Sequence, residues 1–226
     1  LYKYIKKFGF GERTGIELPG EVNGVARHPA TWSKLSLCSI SMGQEVTVTA
    51  LQLACAISAL ANGGNLVKPR IIQRIQDNSG RIIQRFEAKN RERVISEETA
   101  KEMRDILRGV VDNGTAGLAE VDGYFPAGKT GTAQKIEPNG TYSHRKFTAS
   151  FIGFVPYDNP KFVIAVIMDE PRPFYYGGVV CAPVFKKVAG QLMSYYKIYP
   201  KFDNPAMSVL ASSLQKKVKR EAKKSH

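Results

Sequence analysis

Residues Ala127-Gly128-Lys129-Thr130-Gly131-Thr132-Ala133 put a fixed cation, two hydroxyls and a glycine within a few positions. Groups of this kind can grip a carboxylate and an oxyanion. If the run is a strand, alternation sends Lys129, Gly131 and Ala133 to one face and Thr130 and Thr132 to the other. At a sheet edge, twist and backbone N–H groups can bring both sets to bear on one ligand. Gly131 has no Cβ, so a substrate backbone could approach the strand closely. The peptide N–H groups that follow it are candidate oxyanion donors.

Two chemistries fit the run. One is acyl transfer, of which a Lys-Thr-Gly triad is one mark. The other is phosphate binding, because Gly123, Gly128, Lys129 and Thr130 satisfy G-x-x-x-x-G-K-[ST] letter for letter. Residues 164–170 even imitate the apolar strand ending in an acid that holds magnesium in such enzymes. A phosphate loop, however, must follow a buried strand and open into a helix whose N-terminus faces the phosphates. Before Gly123 the chain is polar and glycine-rich, and after Thr130 come Gly131, β-branched Thr132 and then Pro138-Asn139-Gly140, a poor helix start. The strand-like runs 148–155 and 162–169 are joined by only Pro156 to Lys161. Parallel strands need a crossover of roughly a dozen residues, so this pair must be antiparallel. Standing alone, the triad would read as an edge strand with a solvated lysine.

The elements around it must make a sizeable core. The chain has 226 residues, 43% of them hydrophobic, which is globular in composition. Its net charge of +13 is uneven: Lys216, Lys217, Lys219, Arg220, Lys223 and Lys224 crowd the end against Glu221 alone. That basic tail could lie on an anionic lipid or polymer surface, or simply be solvated. The other basic residues flank no recognition motif, which argues against nucleic acid. Cys38, Cys55 and Cys181 are odd in number and lack metal-ligand spacing, so neither a disulfide framework nor a metal site is expected. No apolar run approaches the ~18 residues of a membrane span. Leu1 is not an initiator methionine and the chain starts inside an amphipathic segment, so a longer parent polypeptide is expected.

In chain order, residues 1–8 read as a helix end stopped by Gly9, and 11–24 as loop. His28 reads as structural and Trp32 as an anchor of the loop to the core. Thr49 and Gln52 have capping-box spacing before an almost wholly apolar helix, Ala50 to Ala61, ended by Asn62-Gly63-Gly64. Runs 70–76 and 81–86 read as a hairpin around Asp77-Asn78-Ser79-Gly80. Ser96 caps a helix striped by Met103, Ile106, Leu107 and Val110 and closed by Asn113-Gly114. The Lys129 strand follows, then a polar excursion from Lys135 to Lys146 that could contact substrate. After the antiparallel pair, Tyr175-Tyr176-Gly177-Gly178 turns the chain into a last helix with Val184, Phe185, Val188, Leu192 and Tyr195 on one face. The expectation is α+β: an antiparallel sheet flanked by helices, with a mostly helical lobe before it.

Assembled, the chain resembles the C-terminal part of the transpeptidase domain of class B penicillin-binding proteins. The resemblance covers residues 1–196 and leaves 197–226 as the basic tail. It is carried by Phe8-Gly9-Phe10-Gly11 with Thr14-Gly15-Ile16 and Leu18-Pro19-Gly20-Glu21; Ser41-Met42-Gly43-Gln44 leading into Thr49-Ala50-Leu51-Gln52-Leu53-Ala54; Ala61-Asn62-Gly63-Gly64; Lys129-Thr130-Gly131-Thr132-Ala133; and Tyr175-Tyr176-Gly177-Gly178 with Ala182-Pro183-Val184-Phe185. The last motif, with the Lys135 to Lys146 segment, resembles the division-specific members most, with elongation and sporulation members as the alternatives.

The resemblance implies a peptidoglycan D,D-transpeptidase that cross-links stem peptides through a serine acyl-enzyme and is acylated by β-lactams, with no cofactor or metal. It implies catalytic roles for Lys129, Thr130 and Gly131. Lys129 would supply positive potential, Thr130 and Thr132 would hold the substrate carboxylate, and the Thr132 backbone N–H would complete the oxyanion hole. It further implies a periplasmic site at the cytoplasmic membrane, an anchor N-terminal to this chain, and cell-division membrane proteins as partners. One departure is large. The family's Ser-x-x-Lys precedes Lys-Thr-Gly, whereas here matches occur only downstream, at Ser143 to Lys146, Ser194 to Lys197 and Ser213 to Lys216, and Ser-x-Asn is missing. The nucleophile is therefore expected outside this chain. A non-catalytic β-lactam sensor or scaffold, and a D,D-carboxypeptidase or β-lactamase, are the competing expectations.

Overall fold

The computed structural model describes residues 1–87 and 90–201. Residues 202–226 of the basic tail, with the Ser213 to Lys216 match, lie outside the described residues. In chain order come helix α1 (Tyr2–Lys7), strand β1 (Val25–Ala26), α2 (Ser36–Ser41), β2 (Val46–Thr47), α3 (Ala50–Ala61), β3 (Asn65–Val67), β4 (Arg74–Gln76), β5 (Ile82–Arg85), β6 (Asn90–Arg93), α4 (Glu97–Asp112), β7 (Ala127–Ile136), β8 (Tyr142–Val155), β9 (Phe162–Asp169), α5 (Gly177–Val180) and α6 (Ala182–Tyr195). This is the expected α+β class, with small antiparallel pairs β1–β2, β3–β6 and β4–β5 beside the antiparallel sheet β7–β8–β9.

Local chemistry sets several boundaries. Thr49 and Gln52 form both halves of the capping box, with Gln52 N–H donating to Thr49 Oγ1 at 3.1 Å and Thr49 N–H donating to Gln52 Oε1 at 2.9 Å. Gln52 does more than cap. Its buried amide donates to the carbonyls of Glu12 (2.7 Å) and Asn23 (2.9 Å), pinning the loop after α1 to the core helix. Ser96 accepts from Thr99 N–H at 3.1 Å, and Glu97 and Glu98 fill the first turn of α4.

The sheet is covered on both faces. On one, Phe151 meets Phe185 of α6 edge to face at 4.8 Å, within a core that includes Ala149, Val155, Ala182, Ala189 and Met193. On the other, Ala127 and Phe154 pack against Ala61 of α3 and Leu107 of α4.

Four expectations need correction. Residues 36–41 form helix α2, which no apolar periodicity announced. The excursion 135–146 is hairpin rather than loop: β7 runs to Ile136, Glu137 to Thr141 turn, and β8 starts at Tyr142. The buried faces are shifted round, because α4 buries Ala100, Leu107 and Val111 while Ile106 is exposed, and α6 buries Ala182, Phe185, Ala189 and Met193 while Tyr195 is 80% exposed. Trp32 fastens its loop to α1 instead of the core, donating Nε1–H to Arg27 O at 2.9 Å and packing edge-on to Tyr2.

Candidate active site

Among the described residues β7 lies at the edge of its sheet, paired only with β8. The register sets Thr130 opposite Phe151 and Thr132 opposite Ala149, on the α6 face, and Lys129 opposite Ile152, on the other. The alternation expected from sequence therefore holds. A continuous strand through Lys129 and Thr130, with no helix after it, also removes the phosphate-loop reading.

Both ends of the strand are tied down by charge. Arg108 of α4 donates to Pro126 O at 2.8 Å and to Glu120 Oε2 at 2.6 Å, and also pairs with Asp112, holding the entry to β7 against α4. At the far end, Lys135 reaches Glu170 at 2.8 Å and Asp169 at 3.0 Å. Those bonds, the Glu170 one first, hold the Lys135 ammonium above its ordinary pKa.

Lys129, between them, is exposed and forms no ion pair among the described residues; its Nζ donates to Thr130 O at 3.0 Å and approaches Thr130 Oγ1 at 3.5 Å. Thr130 Oγ1 shares a hydrogen bond of 2.7 Å with Thr115 Oγ1. Thr132 Oγ1 accepts the Gly177 backbone N–H at 3.2 Å. A hydroxyl that accepts from a fixed N–H keeps its own proton to donate, so Thr132 is primed for an anion. Cation, oriented hydroxyls and an unpaired strand edge stand together.

Gly131 has a reason within the fold itself. A Cβ there would come 2.4 Å from Ser150 Oγ on β8, so the glycine makes room for a cross-strand hydroxyl. Gly177 and Gly178 are needed too. Their added Cβ atoms would meet Ser150 O at 2.2 Å and Thr115 O at 2.0 Å, respectively. Only glycine lets α5 press onto β7 and β8. Tyr175 stacks on Phe147 at 4.2 Å beside this contact.

Thr115, Ser150 and Gly177 join the site from distant sequence and went unassigned in the residue pattern. Only the glycine pair and Asn113-Gly114-Thr115 after a helix hinted at them. The downstream serine matches go elsewhere. Ser143 Oγ is buried and accepts from Arg145 N–H (3.2 Å) and Lys146 N–H (3.0 Å), and Lys146 Nζ binds Glu137 at 3.0 Å. The Ser143 hydroxyl first, then Lys146, keep the Glu137 carboxyl below its usual pKa. Ser194 sits exposed in the last turn of α6, and His28 uses Nδ1 to accept Ala30 N–H at 3.2 Å. Among the described residues no group of His, Cys, Asp and Glu could hold a metal ion.

An α+β domain whose edge strand presents Lys-Thr-Gly-Thr, backed by a C-terminal helix, defines the class of β-lactamase-like and penicillin-binding acyl-transfer folds. The chain belongs to the penicillin binding protein transpeptidase domain family, whose model matches residues 1–190. It is 41% identical over 186 residues to "Stage V sporulation protein D" of Bacillus subtilis, covering 81% of this chain and 29% of that protein. It is 35% identical over 202 residues to "Probable peptidoglycan D,D-transpeptidase PenA" of Neisseria gonorrhoeae, covering 88% of this chain and 33% of that one. The crystal structure of penicillin binding protein 3 of Mycobacterium tuberculosis complexed with ampicillin superposes with a TM-score of 0.82 at 36% identity, over 90% of this chain and 47% of that one. The chain thus spans about a third of the length of these two curated relatives.

Proposed function

We propose that residues 1–196 are part of a serine-type peptidoglycan D,D-transpeptidase domain and supply one wall of its active site. The observation that carries this reading is the placement of Lys129, Thr130 and Thr132 on an open edge strand, with their hydroxyls tied to Thr115 and to Gly177 N–H. A stem peptide ending in D-alanyl-D-alanine would lie along the unpaired edge of β7, as an added strand does. Thr130 and Thr132 hydroxyls would hold its terminal carboxylate under the Lys129 charge. The Thr132 backbone N–H would face the carbonyl oxygen that becomes an oxyanion when a serine attacks.

The attack expels D-alanine and leaves an acyl-enzyme, which an acceptor amine then resolves into a cross-link. A β-lactam would enter by the same carboxylate contact, a reading supported by the ampicillin complex of the Mycobacterium tuberculosis relative. The nucleophile and its lysine base are assigned to polypeptide outside these 226 residues, since all three Ser-x-x-Lys matches follow Lys-Thr-Gly in the chain and, among the described residues, neither Ser143 nor Ser194 is placed to serve.

The proposal extends to setting. Peptidoglycan lies outside the cytoplasmic membrane, so the domain would work at its periplasmic face, anchored by a segment N-terminal to this chain. No helix among the described residues is long and apolar enough to cross a membrane. Membrane proteins of division would be its partners. The basic residues of 197–226 would lie on anionic lipid.

The test is acylation. The parent polypeptide should be labelled by fluorescent penicillin, whereas the isolated 226 residues should show no covalent adduct by mass spectrometry after incubation with penicillin. An adduct on the isolated chain would place the nucleophile within it and overturn the assignment.

A further inference from the structure

We infer that the β4–β5 hairpin carries a phosphate-binding site separate from the β7 edge. Arg74 and Arg85 sit directly opposite each other in the ladder, an arrangement in which like charges repel and weaken pairing. Arg70 joins them around a hollow of about 240 Å³ completed by Gln73, Phe86 and Glu87. Three arginines and one glutamate thus line it. Among the described residues none of the three arginines forms an ion pair, whereas Arg81 of the same hairpin is engaged by Asp77 at 3.0 Å.

The charge and the size of the hollow select the ligand. Guanidinium forks match phosphate oxygens two at a time, and a phosphate dianion balances the two positive charges left over, which one carboxylate would not. The hollow is smaller than the ~300–1,000 Å³ that drug-sized ligands occupy, so it suits a single anionic group. Ile71, three residues before β4, and Ile83 on β5 stand 55% and 65% exposed, which accommodates a phosphate borne on an apolar molecule as well as a free one.

The test is a titration of the whole chain with inorganic phosphate at low ionic strength, followed by NMR of the arginine Nε–H groups. Signals of Arg70, Arg74 and Arg85 should move together along one saturable curve while Arg81 stays still. Arg74→Gln/Arg85→Gln should weaken binding at least tenfold. Lys34→Gln/Lys101→Gln, which removes the same charge elsewhere, should change it less than twofold. Arg85→Glu turns the repelling pair into an attracting one, so it should abolish binding while leaving the hairpin folded.

Sedimentation with phosphatidylglycerol vesicles, against phosphatidylcholine, separates the sources. Retention lost in Arg74→Gln/Arg85→Gln and competed by phosphate assigns a lipid headgroup; vesicle retention equal in the variant and the original chain, while only the original chain binds phosphate saturably, assigns a soluble phosphate. Absence of a saturable shift, equal movement of all four arginines, acetate binding as tightly as phosphate, or undiminished binding in Arg74→Gln/Arg85→Gln would overturn the inference.

Discussion

The backbone N–H of Gly177 donates to Thr132 Oγ1 at 3.2 Å, joining the start of α5 to the edge strand across 45 positions of sequence. That bond orients the hydroxyl that the proposed carboxylate would meet. The glycine is what permits it, because any Cβ would sit 2.2 Å from Ser150 O and 2.5 Å from Gly131 O.

Gly177→Ala should therefore push α5 off the strand, since backbone carbonyls cannot swing aside as a side chain can. A displacement of about 1 Å at such a site can cost on the order of 100-fold in rate. Penicillin acylation of the parent polypeptide should fall by about that factor. Thr132→Val, which removes the hydroxyl and leaves the backbone alone, should lower acylation without lowering thermal stability.

Gly131→Ala should destabilise by about 1–3 kcal/mol through overpacking against Ser150 Oγ, 2.4 Å from the new methyl. Ser150 Cβ lies at an ordinary 3.8 Å. Gly131→Ala/Ser150→Ala should recover most of the loss, a coupling that a double-mutant cycle in urea would measure. Equal losses in the single and double variants would mean that something other than this hydroxyl fills the space.

Phe185 and Tyr195 share an apolar stripe in the sequence but not in the fold. Phe185 is fully buried against Phe151, so Phe185→Ala should cost about 3–5 kcal/mol. Tyr195 is 80% exposed, and Tyr195→Ala should stay within about 0.5 kcal/mol. Thermal or denaturant unfolding of the two variants separates them.

How much could be read from sequence follows the range of each interaction. The ends of α3 and α4 were legible because Thr49–Gln52 and Ser96 act over one turn, and β9 matched residues 162–169 because it is a continuous apolar run. The Lys129 alternation was legible because a strand has a period of two. Which half of the apolar stripe on α6 is buried was not, since that depends on the crossing of α6 over Phe151. That Gly131 also makes room for Ser150 was not legible, because Ser150 is brought there by the hairpin register alone. The contacts of Thr115 with Thr130 and of Gly177 with Thr132 were only hinted at, because they depend on how the segment after α4 and the start of α5 pack on β7. The excursion 135–146 looked like loop because polar residues dominate it, yet Asn139-Gly140 makes a turn between two long strands.

Glu21 offers a pH test of the loop after α1. The Thr14 hydroxyl (2.6 Å) and then the N–H groups of Thr14 and Gly15 hold the Glu21 carboxyl below its ordinary 4.5. A carboxyl whose folded pKa is depressed contributes stability that is complete above 4.5 and is lost as pH falls through the lower folded value. An NMR titration should find Glu21 protonating below 4.5, and Thr14→Val should bring it back toward that figure. No movement in the variant would show that the hydroxyl is not the cause.

The central claim is that Lys129 on the open edge of β7 provides the charge under which the acyl donor binds. Its most direct test is the second-order rate of fluorescent penicillin labelling of the parent polypeptide carrying Lys129→Ala, with circular dichroism to establish that it folds. Loss of a preorganised electrostatic contact predicts a fall of about 100-fold or more. Labelling at the original rate in a folded Lys129→Ala protein would contradict the account.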